Sequence, residues 1–186
     1  MRAESLRAAG RHWHAAEALL AAAAAAPRLN ARFIVEGAKA ELRARRYDRV
    51  RGLLAGQPWL EDYRDGEALA VLAEAEARLG EYARAAARFA AARSLARAGP
   101  RAALFAVREG LAREAAGETE AAARAYAAAR QHDALASIDS WLRLRQARVT
   151  RDTALVARLL ADLAGPAARE APATRARALL VAGDSG

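Results

Sequence analysis

The sequence predicts an all-α fold of about five antiparallel helix pairs plus a terminal helix. Three observations predict it. Alanine, the strongest helix former and a poor strand former, fills roughly a third of the 186 residues. β-Branched residues are sparse and scattered, so no segment reads as a strand. A short pattern of one large and several small residues returns at a nearly fixed interval, as in helical repeat proteins.

Each copy of the pattern has a turn, an aromatic or Thr, then Ala or Val three residues on, then a large residue. The copies are Trp13-Ala16-Leu20, Tyr47-Val50-Leu54, Tyr82-Ala85-Phe89, Thr119-Ala122-Tyr126 and Thr153-Val156-Leu160. Their anchors step by 34, 35, 37 and 34 residues. The third and fourth copies open with Gly80-Glu81 and Gly117-Glu118 and continue to Ala92 and Ala129. The first two place Arg or His where those glycines stand. The segmentation that follows is 1–29, 30–64, 65–99, 100–132 and 133–166, with a terminal helix over 172–182, all in one repeat domain spanning 1–186.

Local signals place the element ends. A first helix runs from Arg2 to Ala9. Pro27 and Asn30 separate two helices, with Asn30 as N-cap. Asp48 caps the next helix, and Gly56-Gln57-Pro58 ends it. The stretch to Gly66 is a longer connection, and Asp65 caps a helix running to Leu79. Gly99-Pro100 closes the third segment, with Pro100 in the first turn of the following helix. Gly165-Pro166 closes the fifth, and Pro172 opens the last helix. Ala178 to Asp184 reads as the first helix of another pair meeting its turn. No solvating helix follows, so the expectation is a fragment of a longer protein or ends that pack on another copy or partner.

The period near 34 and the residues quoted above resemble the tetratricopeptide repeat over most of the chain. The resemblance implies a right-handed α-solenoid. In it a turn Gly ends the first helix of each pair, small residues let the helices approach, and large residues fill the gap to the next pair. Gly110 falls at a second small contact position. The stretch Ile138-Asp139-Ser140-Trp141-Leu142-Arg143-Leu144-Arg145 also resembles, over a few dozen residues and without a catalytic motif, the helical superhelix of bacterial soluble lytic transglycosylases.

Charge and composition narrow the function classes. The net charge is +8, from 30 basic and 22 acidic residues. Lys39 is the one lysine. The arginines alternate with Glu and Asp at helical spacing and do not cluster, which argues against a nucleic-acid surface. The Ala, Arg, Gly and Leu bias matches GC-rich bacterial codon usage. No cysteine is present, which excludes disulfides and thiolate metal sites. The N-terminus has no apolar signal core, and Ala21–Ala26 is too short to span a membrane. No compartment follows beyond a cytoplasmic default, or a periplasmic or extracellular one for a mature fragment.

No catalytic, cofactor-binding or metal-binding constellation is found. His12 and His14 sit two apart and point differently on a helix, while zinc needs three or four converging ligands. His132-Asp133 reads as a turn. The glycines stand singly at helix ends, unlike a phosphate loop. Trp13, Tyr47, Tyr82, Phe89, Phe105, Tyr126 and Trp141 are expected in the core, with Trp59 and Tyr63 packing the long connection down.

By the resemblance, partners lie in a groove lined by the first helix of each pair. That places Arg32, Val35, Lys39 and Arg43 there from the second pair, and Glu67, Ala70, Glu74 and Arg78 from the third. Leu104, Val107, Leu111 and Glu114 follow from the fourth, and Arg145 and Arg148 from the fifth. The positions that clamp a C-terminal carboxylate in chaperone-binding relatives hold Val35, Lys39, Val71, Leu104 and Arg108. Only Arg108 fits that role, so a carboxylate clamp is not expected. The leading expectation is a non-catalytic scaffold that binds a protein or peptide segment. The alternatives are a helical region of a larger exported cell-wall enzyme and a protein that self-assembles through its solenoid ends.

Overall fold

A computed structural model describes residues 2–8 and 10–183. Among them are eleven α-helices and no strand. The contacts group the chain into two compact units, Met1–Leu95 and Ala96–Gly186.

The first unit holds α1 (Arg2–Ala8), α2 (His12–Ala25), α3 (Asn30–Arg43), α4 (Tyr47–Leu54), α5 (Glu67–Arg78) and α6 (Tyr82–Leu95). Each packs on its neighbour in sequence. Ala15, Ala16, Leu19 and Ala40 form one buried cluster, with Leu6 and Phe33 against it. Val50, Leu54, Leu72, Ala85, Ala86, Phe89 and Ala92 are also buried. Alanine at so many of these sites lets helix axes approach closely, and a few large side chains fill what remains.

The second unit holds α7 (Pro100–Ala115), α8 (Thr119–Arg130), α9 (Asp139–Val149), α10 (Thr153–Leu159) and α11 (Gly165–Gly183). Its core includes two clusters. Ala106, Val107, Ala122, Tyr126, Ala129, Leu142 and Val149 make one. Leu144, Ala147, Val156, Leu159, Leu160 and Ala167 make the other.

The turns α3–α4, α5–α6 and α7–α8 are congruent. In the first, the N–H groups of Ala44, Arg45 and Arg46 donate to the carbonyls of Ala40, Leu42 and Glu41. Leu79, Gly80 and Glu81 donate to Ala75, Ala77 and Glu76 in the same pattern, and Ala116, Gly117 and Glu118 to Ala112, Glu114 and Arg113. The central residue is left-handed each time, with φ of 60° at Arg45, 83° at Gly80 and 78° at Gly117. This is how a helix ends when its last carbonyls need donors.

The turn α1–α2 belongs with them and corrects the register of the first copy. Gly10 has φ 70°, Arg11 N–H donates to the Leu6 carbonyl, and α2 starts at His12. The first copy therefore does carry the turn glycine, and its anchor is His12. The buried residues that follow are Ala15 and Leu19 rather than Ala16 and Leu20 as a pair, and Trp13 lies 44% exposed. Tyr82 and Trp141 are likewise surface residues, at 40% and 36%, because they begin a helix beside a turn. Phe89, Phe105 and Tyr126 are in the core as expected.

Several caps differ from expectation. Asn30 lies inside α3 with helical dihedrals, and no side chain caps that helix. Asp48 is the second residue of α4 and pairs with Arg51 at 2.7 Å. Asp65 does not cap α5, whose N-cap is Gly66 in the left-handed region. A Cβ at Gly66 would lie 2.7 Å from the Ala92 backbone, so close approach as well as φ requires glycine there. Pro172 does not open a helix: α11 starts at Gly165 and runs through it. Pro172 leaves the Ala168 carbonyl without a helix donor, but both residues are exposed, so water can serve it. Asp184, the expected turn after this helix, lies outside the described residues. A cap beyond expectation is Asp152, whose carboxylate accepts from the Ala154 and Leu155 N–H groups at 2.9 and 3.0 Å.

The connection between α4 and α5 is packed, as expected. Leu60 is buried, and the Trp59 and Tyr63 rings, both half-buried, stand 5.8 Å apart.

Candidate functional site

The residues expected in a groove fall into two sets, one in each unit. In the first unit, α3 and α5 pack together and present Arg32, Lys39, Arg43, Glu67, Glu74 and Arg78. Lys39 Nζ donates to Glu36 at 2.7 Å and also to Glu67, which ties α3 to α5. Partial burial by itself would lower the Lys39 pKa, but the two carboxylates outweigh it and hold the ammonium above its ordinary value. Arg43 shares a polar cleft of about 350 Å³ with Arg45, Tyr47, Glu74 and Arg78. Arg78 Nε donates to Glu74 at 3.2 Å there. Arg32 lies apart from these, in a cleft of about 630 Å³ whose walls include Leu19, Phe33, Glu36 and Arg64. Val35 and Ala70, expected on the groove, are buried in the core and cannot meet a partner.

In the second unit, Glu114 on α7 is the centre of the set. Tyr126 Oη donates to Glu114 Oε2 at 2.6 Å, and Arg145 Nη1 lies 3.3 Å from Glu114 Oε1. The Arg145 guanidinium sits 5.5 Å over the Trp141 ring, which meets Tyr126 edge-on at 6.4 Å. Burial first, and then the Glu114 carboxylate, push the Tyr126 phenol far above its ordinary pKa. The phenol therefore stays a donor at any working pH. The cluster fixes Glu114 and Arg145, both partly exposed, in one orientation. Val107 is buried here as well, Leu111 is half-buried, and Leu104 is 43% exposed.

Arg148 lies in a different cleft of the second unit, of about 670 Å³, between α9 and α11. It pairs with Glu170. Arg151, Arg169 and Arg177 line the same cleft, and sequence reasoning missed all three. A helix opening at Pro172 leaves Arg169 in a loop. The real helix from Gly165 places Arg169, Ala173, Arg177 and Val181 on one face at intervals of four. That spacing was the available signal.

Buried carboxylates near the turns have a structural role. Glu41 and Glu76 both stand six residues before the start of the second helix of their pair, and both are buried. Glu76 accepts from Arg88 Nε at 2.8 and 2.9 Å. Burial raises its pKa, against the pull of Arg88. Glu41 has Arg46 and Arg49 at 3.4 and 3.6 Å. Glu109 is buried with Arg113 at 2.9 Å.

His12 and His14 both lie in α2. Among the described residues no three His, Asp or Glu side chains are grouped as metal ligands. No described helix is long and apolar enough to cross a membrane. No protein-family model, curated protein or solved structure matches the chain.

Proposed function

We propose that the chain is a non-catalytic scaffold of tetratricopeptide-like helix pairs, stacked as a solenoid within each unit, that binds segments of partner proteins. The congruent turns support this reading most directly. Four turns share one left-handed residue, three of them share one hydrogen-bond pattern, and their glycines or arginine recur every 35 to 37 residues. Opposed contacts within a pair support antiparallel packing: Gly66 meets Ala92 while Glu76 meets Arg88. Repeats of this kind bury a core only by stacking, and the helix faces left over form extended binding surfaces.

The α3–α5 face is the proposed contact surface in the first unit. Its charges are of both signs, and Lys39, Glu67, Glu74 and Arg78 are held in ion pairs, so they select a segment with matching charges rather than a uniformly charged partner. Arg43 has no ion-pair partner among the described residues and is exposed, which makes it the proposed first contact.

The test is selection of peptides from a random display library on the immobilised chain. Enriched peptides should lose binding to the R43E/R78E variant while its melting temperature holds. No enrichment over an unrelated helical protein, or enriched peptides indifferent to R43E/R78E and to changes at Glu114 and Arg145, would overturn the reading.

A further inference from the structure

We infer that the cleft between α9 and α11 binds an acidic segment of a protein partner. This deepens the scaffold reading and rests on it. Four guanidiniums line the cleft, and one of them, Arg148, is neutralised by Glu170. Arg151, Arg169 and Arg177 are exposed, and none has an ion-pair or hydrogen-bond partner among the described residues. Arg78 by contrast is held by Glu74, and Arg145 by Glu114. Three unheld guanidiniums around one concavity make a field that an anionic group lowers in energy.

The geometry specifies the occupant further. Arg169 and Arg177 lie two turns apart on one face of α11, about 12 Å along the axis. An extended peptide rises about 3.3 Å per residue and repeats its sides every second residue. Carboxylates four positions apart therefore reach both guanidiniums from the same side of the strand. Val149, Ala173 and Ala178 line the same cleft beside Thr150 and Thr174, so small or aliphatic side chains suit the intervening positions.

A nucleic acid fits less well, because no aromatic ring lines the cleft for a base to stack on. A second copy of the chain is disfavoured by its own net charge of +8.

The probe is a short fluorescein-labelled peptide with Glu at every fourth position and Ala or Leu between, read by anisotropy against the full chain. Its Gln counterpart and an oligothymidine serve as competitors. The acidic peptide should bind about tenfold or more tighter than the Gln form and weaken with added salt. The R169E/R177E variant should lose about tenfold or more in affinity, while R158E/R175E, with the same charge change away from the cleft, should lose little. Equal binding of the Glu and Gln peptides overturns the inference. So does an equal loss in the two double variants, which would mean net charge alone, or tighter binding of oligothymidine, which would mean a nucleic-acid surface. All four arginines are exposed, and if R169E/R177E fails to fold, R177Q read the same way decides. If library-selected peptides bind the α3–α5 face and the acidic peptide does not bind, only this inference falls.

Discussion

The pairs α5–α6 and α7–α8 make the same turn with different side chains around it. Six residues before the second helix stands Glu76 in one and Arg113 in the other. Glu76 is buried and neutralised from the second helix by Arg88. Arg113 is half-buried and held by Glu109 at 2.9 Å and Glu118 at 2.5 Å. Nine residues before the second helix stand Ala73 and Gly110. The glycine is needed because a Cβ there would lie 2.6 Å from the Tyr126 ring, while the other pair has Phe89 at the position of Tyr126. The backbone turn is therefore indifferent to the sign of the charge. What the turns share is a left-handed residue and a small residue nine positions before the second helix.

The largest expected effect tests the charge difference. Arg88→Met strands a carboxylate that is only 1% exposed and should cost about 3 kcal/mol at neutral pH in urea melts. The sign with pH follows from the raised folded pKa of Glu76. Its contribution is most favourable below the ordinary carboxylate range and is lost as pH rises through the folded value. Removing Arg88 raises that value further, so the penalty of the variant should shrink on acidification and its window should move upward. The corresponding Arg113, like any guanidinium, is charged across the working range; burial alone would lower its pKa, but Glu109 and Glu118 outweigh that and hold it above its ordinary value. No such pH dependence is expected for the α7–α8 pair, and finding one of equal size would break the comparison.

The next effect tests the shared crossing. Ala85 and Ala122 stand at the same place, three residues into the second helix, and both are fully buried. Ala85→Leu and Ala122→Leu should each destabilise by about 1–3 kcal/mol through overpacking. An unchanged melting temperature in either would mean that the two pairs do not share this register. Gly110→Ala should cost about 1–2 kcal/mol, since the clash with Tyr126 exceeds the helix propensity gained. Ala73→Gly, lacking any clash to relieve, should cost about 1 kcal/mol.

A smaller effect tests the turn. Gly80→Ala should destabilise by about 1 kcal/mol, because φ 83° crowds a Cβ. Arg45→Gly should stabilise by about 0.5–1 kcal/mol, since Arg45 holds φ 60° without a glycine and is exposed. Thermal melts that move both variants the same way would contradict congruence of the turns. Asp152→Ala, which removes the cap of α10, should cost about 1 kcal/mol or less.

Helix content, most helix ends and the interval of the turns were legible in the sequence, because they follow from alanine, glycine and short-range hydrogen bonding. The register of the first copy was not, since Trp13 is a more conspicuous anchor than His12, and only the placement of Gly10 and Leu19 separates the two. Among the groove residues, Lys39, Glu67, Glu114 and Arg145 were legible as members of the first helices of their pairs, but the contacts of Lys39 with Glu67 and of Glu114 with Arg145 were not. That Val35, Ala70 and Val107 face inward was not legible, because a small apolar residue suits a core and a groove wall equally well.

The sequence by itself determined an all-helical chain with left-handed turns at regular spacing, since propensity and φ are properties of single residues and their near neighbours. Only the tertiary structure decided that Tyr126 presses on Gly110, that Glu76 is buried against Arg88, and that α11 continues through Pro172 to bring Arg169 and Arg177 into one cleft. Those outcomes depend on which helix faces meet. The physical reason is that packing and desolvation act between residues far apart in the chain, where local pattern carries no information.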